Sequence, residues 1–213
     1  MKKILLFISI TLFFNSCALI LDFQDLPEPS GDYIIGTDIF DWEDSYRDEW
    51  FTSNKIDSRK ISVQIWYPAI EKSDSLYPYL DYPELRIEAI ANQIKQSKNL
   101  VKPVTKIKGN SYYKAKPINK KFPLILFSHG LGGYKTQNMI AIEALVSKGY
   151  IVISADHTYD ANITVFKDGS YIDYSYSILD NVPNEKFWDV RIPQVNTRSE
   201  DISFMIDKLQ LMK

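Results

Sequence analysis

The sequence predicts an α/β protein, and three neighbouring features carry that prediction. Phe122–Phe127 (FPLILF) is a continuous apolar run, the mark of a strand covered on both faces. A glycine-rich turn, Ser128-His129-Gly130-Leu131-Gly132-Gly133, follows it and leads into a helical stretch at Gln137–Lys148. Tyr150–Ala155 (YIVISA) is a second apolar run. Strand, helix and strand within about 35 residues make a βαβ unit, whose handed crossover sets the two strands parallel.

The chain begins with an address. Met1, Lys2 and Lys3 precede Ile4–Phe14 (ILLFISITLFF), apolar apart from Ser9 and Thr11. A helix of that length spans roughly 16 Å against a hydrocarbon core of about 30 Å, so it reads as a secretion signal rather than a membrane span. Ser16-Cys17 closes the run and resembles the lipobox of bacterial lipoproteins. That resemblance implies removal of residues 1–16, acylation of Cys17 and a protein held to the cell envelope by lipid chains. The alternative is an ordinary signal peptide with an incidental cysteine. Residues 17–31, with Pro27 and Pro29, read as a tether, and residues 32–213 as the folded body.

In the body, Tyr33–Thr37 reads as a first strand. Arg59–Pro68 is a clearer one, because Ile61, Val63, Ile65 and Tyr67 alternate with Ser62, Gln64 and Trp66, the period of a strand with one buried face. Pro83–Asn99 reads as an amphipathic helix on Ile87, Ile90, Ala91 and Ile94. Asp44–Glu49 reads as a solvated loop with local Arg47 pairing, and the lysine-rich Val101–Lys121 as a surface excursion. In the helix at Gln137–Lys148, Ile140, Ala141, Ala144, Leu145 and Val146 form the apolar side, and Gly149 stops it. Thr164–Tyr174 reads as a hairpin turning on Asp168-Gly169. Thr197–Leu211 reads as a last helix, with Thr197 and Glu200 as a capping box.

Composition narrows the function. The chain has 213 residues, with 25 Lys plus Arg against 27 Asp plus Glu, so no basic excess favours nucleic acid. One cysteine excludes an intrachain disulfide and a zinc site of four thiolates. His129 and His157 are the whole imidazole inventory.

The turn after Phe127 admits three chemistries. A dinucleotide fingerprint on Gly130 and Gly132 needs glycine at position 135, which is Lys135, and no Gly-Lys pair exists for a P-loop. No cofactor is expected. The remaining reading is a loop whose backbone N–H groups face a developing negative charge, half of an oxyanion hole, against the plain alternative of a tight turn at a strand end.

A wider pattern bears on this choice. Tyr33–Thr37, Asp44–Glu49, Arg59 with Val63–Ala69 (VQIWYPA), Pro123–Gly133 (PLILFSHGLGG), Lys148–Val152 and Ala155-Asp156-His157 together resemble the platelet-activating factor acetylhydrolase family, plasma or isoform II type. The resemblance covers about residues 31–211. It implies an α/β-hydrolase fold and a Ser-His-Asp esterase, without a metal, that removes short sn-2 acyl groups from phospholipids. It further implies that Leu131 gives an oxyanion-hole N–H, with His129 and Gly130 shaping the turn. The G-x-S-x-G that carries the nucleophile in such enzymes is absent from the sequence. The expectation is thus an incomplete α/β-hydrolase, the N-terminal portion of a mostly parallel sheet, with nucleophile, acid and base beyond Lys213 and this chain alone inactive. His157 is expected to line a pocket or serve as a hydrogen-bonded structural residue. Ser128, at a strand end rather than on an elbow, is a poor nucleophile. The alternatives are a lipase- or dienelactone-hydrolase-like esterase, or a non-catalytic surface lipoprotein on a degenerate hydrolase scaffold.

Overall fold

A computed structural model of the chain describes residues 25–212 apart from 55 and 181. The apolar leader and Cys17 lie outside the described residues. Among those described, no helix is long and apolar enough to cross a membrane.

The described residues form eight strands: β1 (Ile34–Asp48), β2 (Ser58–Ala69), β3 (Leu76–Pro78), β4 (Lys108–Tyr113), β5 (Leu124–Ser128), β6 (Ile151–Asp156), β7 (Ile163–Val165) and β8 (Tyr171–Asp173). The helices are α1 (Pro83–Gln93), α2 (Lys98–Val101), α3 (Met139–Ser147), α4 (Tyr176–Leu179) and α5 (Phe187–Leu211). Six strands form one sheet in the order β3-β4-β1-β2-β6-β5, and β7 with β8 makes a separate hairpin.

The expected α/β architecture is present. β5, α3 and β6 are the predicted βαβ unit, with β5 and β6 parallel from Leu124↔Ile151 to Ser128↔Ala155. β4 also runs parallel to β1, whereas the β1–β2, β2–β6 and β3–β4 pairings are antiparallel. β5 ends the sheet, and its outer edge pairs with no strand among the described residues. Helices cover both faces. Met139, Ile142 and Val146 of α3 pack on Ile35, Trp66 and Val152. On the opposite face Met205 of α5 packs on Ile61, Val63, Ile65, Ile153 and Ala155.

Several elements depart from the sequence reading, each for a physical reason. β2 is a central strand, between β1 and β6, with α3 over one face and α5 over the other, so Ser62, Gln64 and Trp66 are as buried as Ile61 and Val63. Gln64 Nε2 donates to Thr37 Oγ1, which satisfies one end of its buried amide. The predicted helix over Pro83–Asn99 ends at Gln93 because Lys95 takes a left-handed φ of 54°, and α2 restarts after Ser97, whose hydroxyl accepts from Asn99 N–H. The Val101–Lys121 excursion contains β4. The buried Glu143 of α3 holds that strand, accepting from Asn110 N–H, Asn110 Nδ2 and Ser111 Oγ at 2.7–2.9 Å.

Asp44 to Asp48 belong to β1, while Glu49 is buried against Arg59 rather than solvated. Arg47 does pair with Asp44, and also reaches Glu200 and Asp201. α5 begins ten positions before Thr197 and runs through Pro193, so Thr197 caps nothing. Its hydroxyl donates to Pro193 O within the helix. The segment read as a tether lies against the body from residue 25 onward. Leu26 N–H donates to Lys108 O, Asn110 Nδ2 to Pro27 O and Gly31 N–H to Ser147 Oγ.

Candidate active site

The turn 129–133 sits at the carboxyl end of β5, where open α/β sheets place their ligands. Hydrogen bonds fix its peptides one by one. Gly130 O accepts from His129 Nδ1 at 2.6 Å and from Gly133 N–H at 2.9 Å. In a trans peptide the N–H points opposite to the carbonyl, so the Leu131 N–H faces away from both donors. That N–H has no acceptor among the described residues, and Leu131 is 49% exposed. A Cβ built at Gly130 meets nothing within 4 Å, so open space adjoins the amide. Gly132 holds a left-handed φ of 65°, donates to Asp160 O and accepts from Gln93 Nε2. Asn162 N–H closes the turn on Gly133 O.

Beneath the turn the two histidines are brought together, their rings 5.1 Å apart. His157 lies at the end of β6 with no exposed surface. Its N–H donates to His129 Nε2 at 3.1 Å, its Nδ1 lies 2.8 Å from Asp201 Oδ2, and its Nε2 lies 3.0 Å from Ser128 Oγ. Sequence reasoning missed Asp201, although the second half of α5, which carries it, was legible. The carboxylate is fully buried and gripped by Arg59 through Nε at 3.1 Å and Nη2 at 2.7 Å, with Arg47 Nη2 added at 2.6 Å. Burial alone would raise the Asp201 pKa, but Arg59 and the His157 hydrogen bond pull it well below the usual carboxylate range. Arg59 also binds Glu49 and Thr158 O.

Ser128, His157 and Asp201 thus form the hydrogen-bonded line of a serine-hydrolase triad, yet its two deeper members are closed inside the protein. A second charged group, also missed, stands beside it. Asp156 accepts from Lys135 N–H, Lys135 Nζ and Arg86 Nη2, and Asp81 binds the same two cations. Two carboxylates and two cations cancel in an interior with almost no exposure. Among the described residues no group of three or more His, Cys, Asp or Glu side chains could hold a metal ion.

Burial, reinforced by the neighbouring His157, lowers the pKa of His129 from its ordinary 6.5 to about 3. The folded ring therefore stays neutral while the unfolded chain takes up a proton below about pH 6.5. Its contribution to stability is complete above pH 6.5 and is lost as pH falls toward 3. In His129→Gln the dependence of unfolding free energy on pH across that window should flatten by up to about 1.4 kcal/mol per pH unit. Urea midpoints at a series of pH values measure this, and an unchanged slope would show the ring already charged in the folded protein.

The three-layer fold, with a glycine turn presenting a free amide at the carboxyl end of a parallel strand, defines an α/β-hydrolase type of protein. A solved ferulic acid esterase from Streptomyces cinnamoneus matches it with a TM-score of 0.68 and 25% identity, over 86% of this chain and 48% of that one. The family model for platelet-activating factor acetylhydrolase, isoform II, matches residues 22–213. A platelet-activating factor acetylhydrolase from Canis lupus familiaris is 31% identical over 192 residues, which are 84% of this chain and 40% of that protein. The chain belongs to the platelet-activating factor acetylhydrolase isoform II family, and it spans less than half the length of both relatives.

Proposed function

We propose that the protein is a serine-type carboxylic ester hydrolase acting on short sn-2 acyl groups of phospholipids, with the Leu131 N–H as one oxyanion donor. The unpaired amide of Leu131 beside the open space at Gly130 carries this reading, and family membership supports it. The tetrahedral oxygen formed when a serine attacks the ester carbonyl accepts from that amide, and the amide, already fixed, needs no reorganisation. These 213 residues lack a G-x-S-x-G. In this reading the nucleophile, acid and base come from residues outside them. Cys17 is acylated and holds the protein to the cell envelope, so Cys17→Ala should abolish labelling by radioactive palmitate.

Hydrolysis of a 1-alkyl-2-acetyl phospholipid by the full protein tests the main reading. Leu131→Pro removes the donor and should lower kcat about 100- to 1000-fold. Undiminished turnover in the variant would remove Leu131 from the site. A folded protein that cleaves no short-acyl ester would favour the non-catalytic scaffold, and a preference for long acyl chains the lipase-like alternative.

The line from Ser128 through His157 to Asp201 favours a second reading, in which Ser128 is itself the nucleophile. Against it, Asp201 already serves Arg59 and Arg47, and Ser128 Oγ also receives Arg198 Nη2 at 2.9 Å. Mapping a fluorophosphonate adduct decides: modification of Ser128 supports the second reading, modification of another serine the first.

A further inference from the structure

Arg198 of α5 reaches the turn from outside it and belongs to none of the roles above. Its Nη2 donates to His129 O and to Ser128 Oγ, and its Nη1 pairs with Asp160 Oδ2 at 3.2 Å. Asp160 is fully buried, and Gln194, one helical turn earlier, donates to its Oδ1 at 2.8 Å. The backbone oxygen of the same Asp160 accepts from Gly132 N–H. One guanidinium therefore fixes the peptide before Gly130 directly and the peptide at Gly132 through Asp160. These flank the peptide that carries the Leu131 amide.

We propose that Arg198, through His129 O and Asp160, is a positioning residue that sets the direction of the Leu131 N–H toward the reacting oxygen. The inference rests on the esterase reading above, and it ties the oxyanion donor to α5. The position requires a hydrogen bond to His129 O on one side and an ion pair with Asp160 on the other. An ammonium at the end of a lysine is a point donor and cannot hold His129 O and Asp160 together in that geometry. The Arg198 side chain is 20% exposed, so a small cation can reach its place when it is removed.

Arg198→Ala in the full protein should lower kcat for the acetyl phospholipid about 100-fold with KM changed less than about threefold, because substrate binding does not use the donor that forms only in the transition state. Guanidinium ion at low millimolar concentration should restore much of that loss, whereas Arg198→Lys should not. A rise in KM at constant kcat, or no response to guanidinium, overturns the proposal. Amide hydrogen exchange keeps the test independent of activity. Gly132 N–H, bonded to Asp160 O, should exchange at least about tenfold faster in Arg198→Ala. If the native protein cleaves no ester but this exchange accelerates, the esterase reading fails and the clamp stands. If exchange at Gly132 is unchanged, the clamp fails whatever the activity.

Discussion

Asp201→Ala should destabilise the protein by about 3–5 kcal/mol, the cost of leaving a buried cation without its partner. Arg59 is 1% exposed, loses both of its contacts to that carboxylate, and keeps Glu49, Thr158 O and the Phe51 ring. His157 loses the acceptor at Nδ1 at the same time. The effect is read as a fall in urea midpoint with an unchanged denaturant slope, the sign of lost stability without a change in compactness. It also carries a pH signature. The depressed pKa of Asp201 means that its contribution is present above the ordinary carboxylate value near 4 and is lost as pH falls through the folded one. Wild type and variant should therefore converge in acid. A difference of under 1 kcal/mol at neutral pH would mean that the Arg59 site is hydrated and the pair exposed.

Lys135→Met should cost a comparable amount, about 3–5 kcal/mol, and for the mirror-image reason. Lys135 has no exposed surface, and its Nζ lies 2.9 Å from Asp81 Oδ2 and 3.0 Å from Asp156 Oδ2. Without it, two buried carboxylates share Arg86 alone. Adding Asp81→Asn to Lys135→Met restores neutrality and should recover part of the loss. The two changes should thus be non-additive in a double-mutant cycle. Strict additivity would separate the groups energetically despite their contact.

The βαβ unit was legible because both of its strands are unbroken apolar runs: Ile151–Ala155 is buried as such a run predicts, whereas Leu124–Phe127, on the edge strand, is only half-buried and Leu124 is exposed. β4 was not, since Lys108–Tyr113 spends Asn110 and Ser111 on Glu143, a partner 32 or 33 positions away that no local period can announce. The first half of α5 was hidden for two reasons. Pro193 reads as a helix breaker, and Trp188, Ile192 and Val195 point their apolar groups outward, 54–68% exposed. In the site, the turn that carries His129, Gly130 and Leu131 was readable because glycines at a strand end are a local signal. Asp201, Arg198, Asp160, Lys135 and Arg86 were not. A charged residue looks the same in sequence whether it is solvated or sealed against a countercharge, and each of these has at least one partner 21 or more positions away, up to 154 for Asp201 and Arg47.

The bond between Arg59 and Asp201 spans 142 positions, from the second strand to the last helix. On a translating ribosome, β2 and β6 can pair long before α5 has emerged. During that interval Arg59 and His157 lack the carboxylate they share, and their ends of the strands stay wet. Locking of the interior must wait for the helix that brings Asp201, so a nascent chain stalled ahead of that point presents proteases and chaperones with a loosely closed sheet.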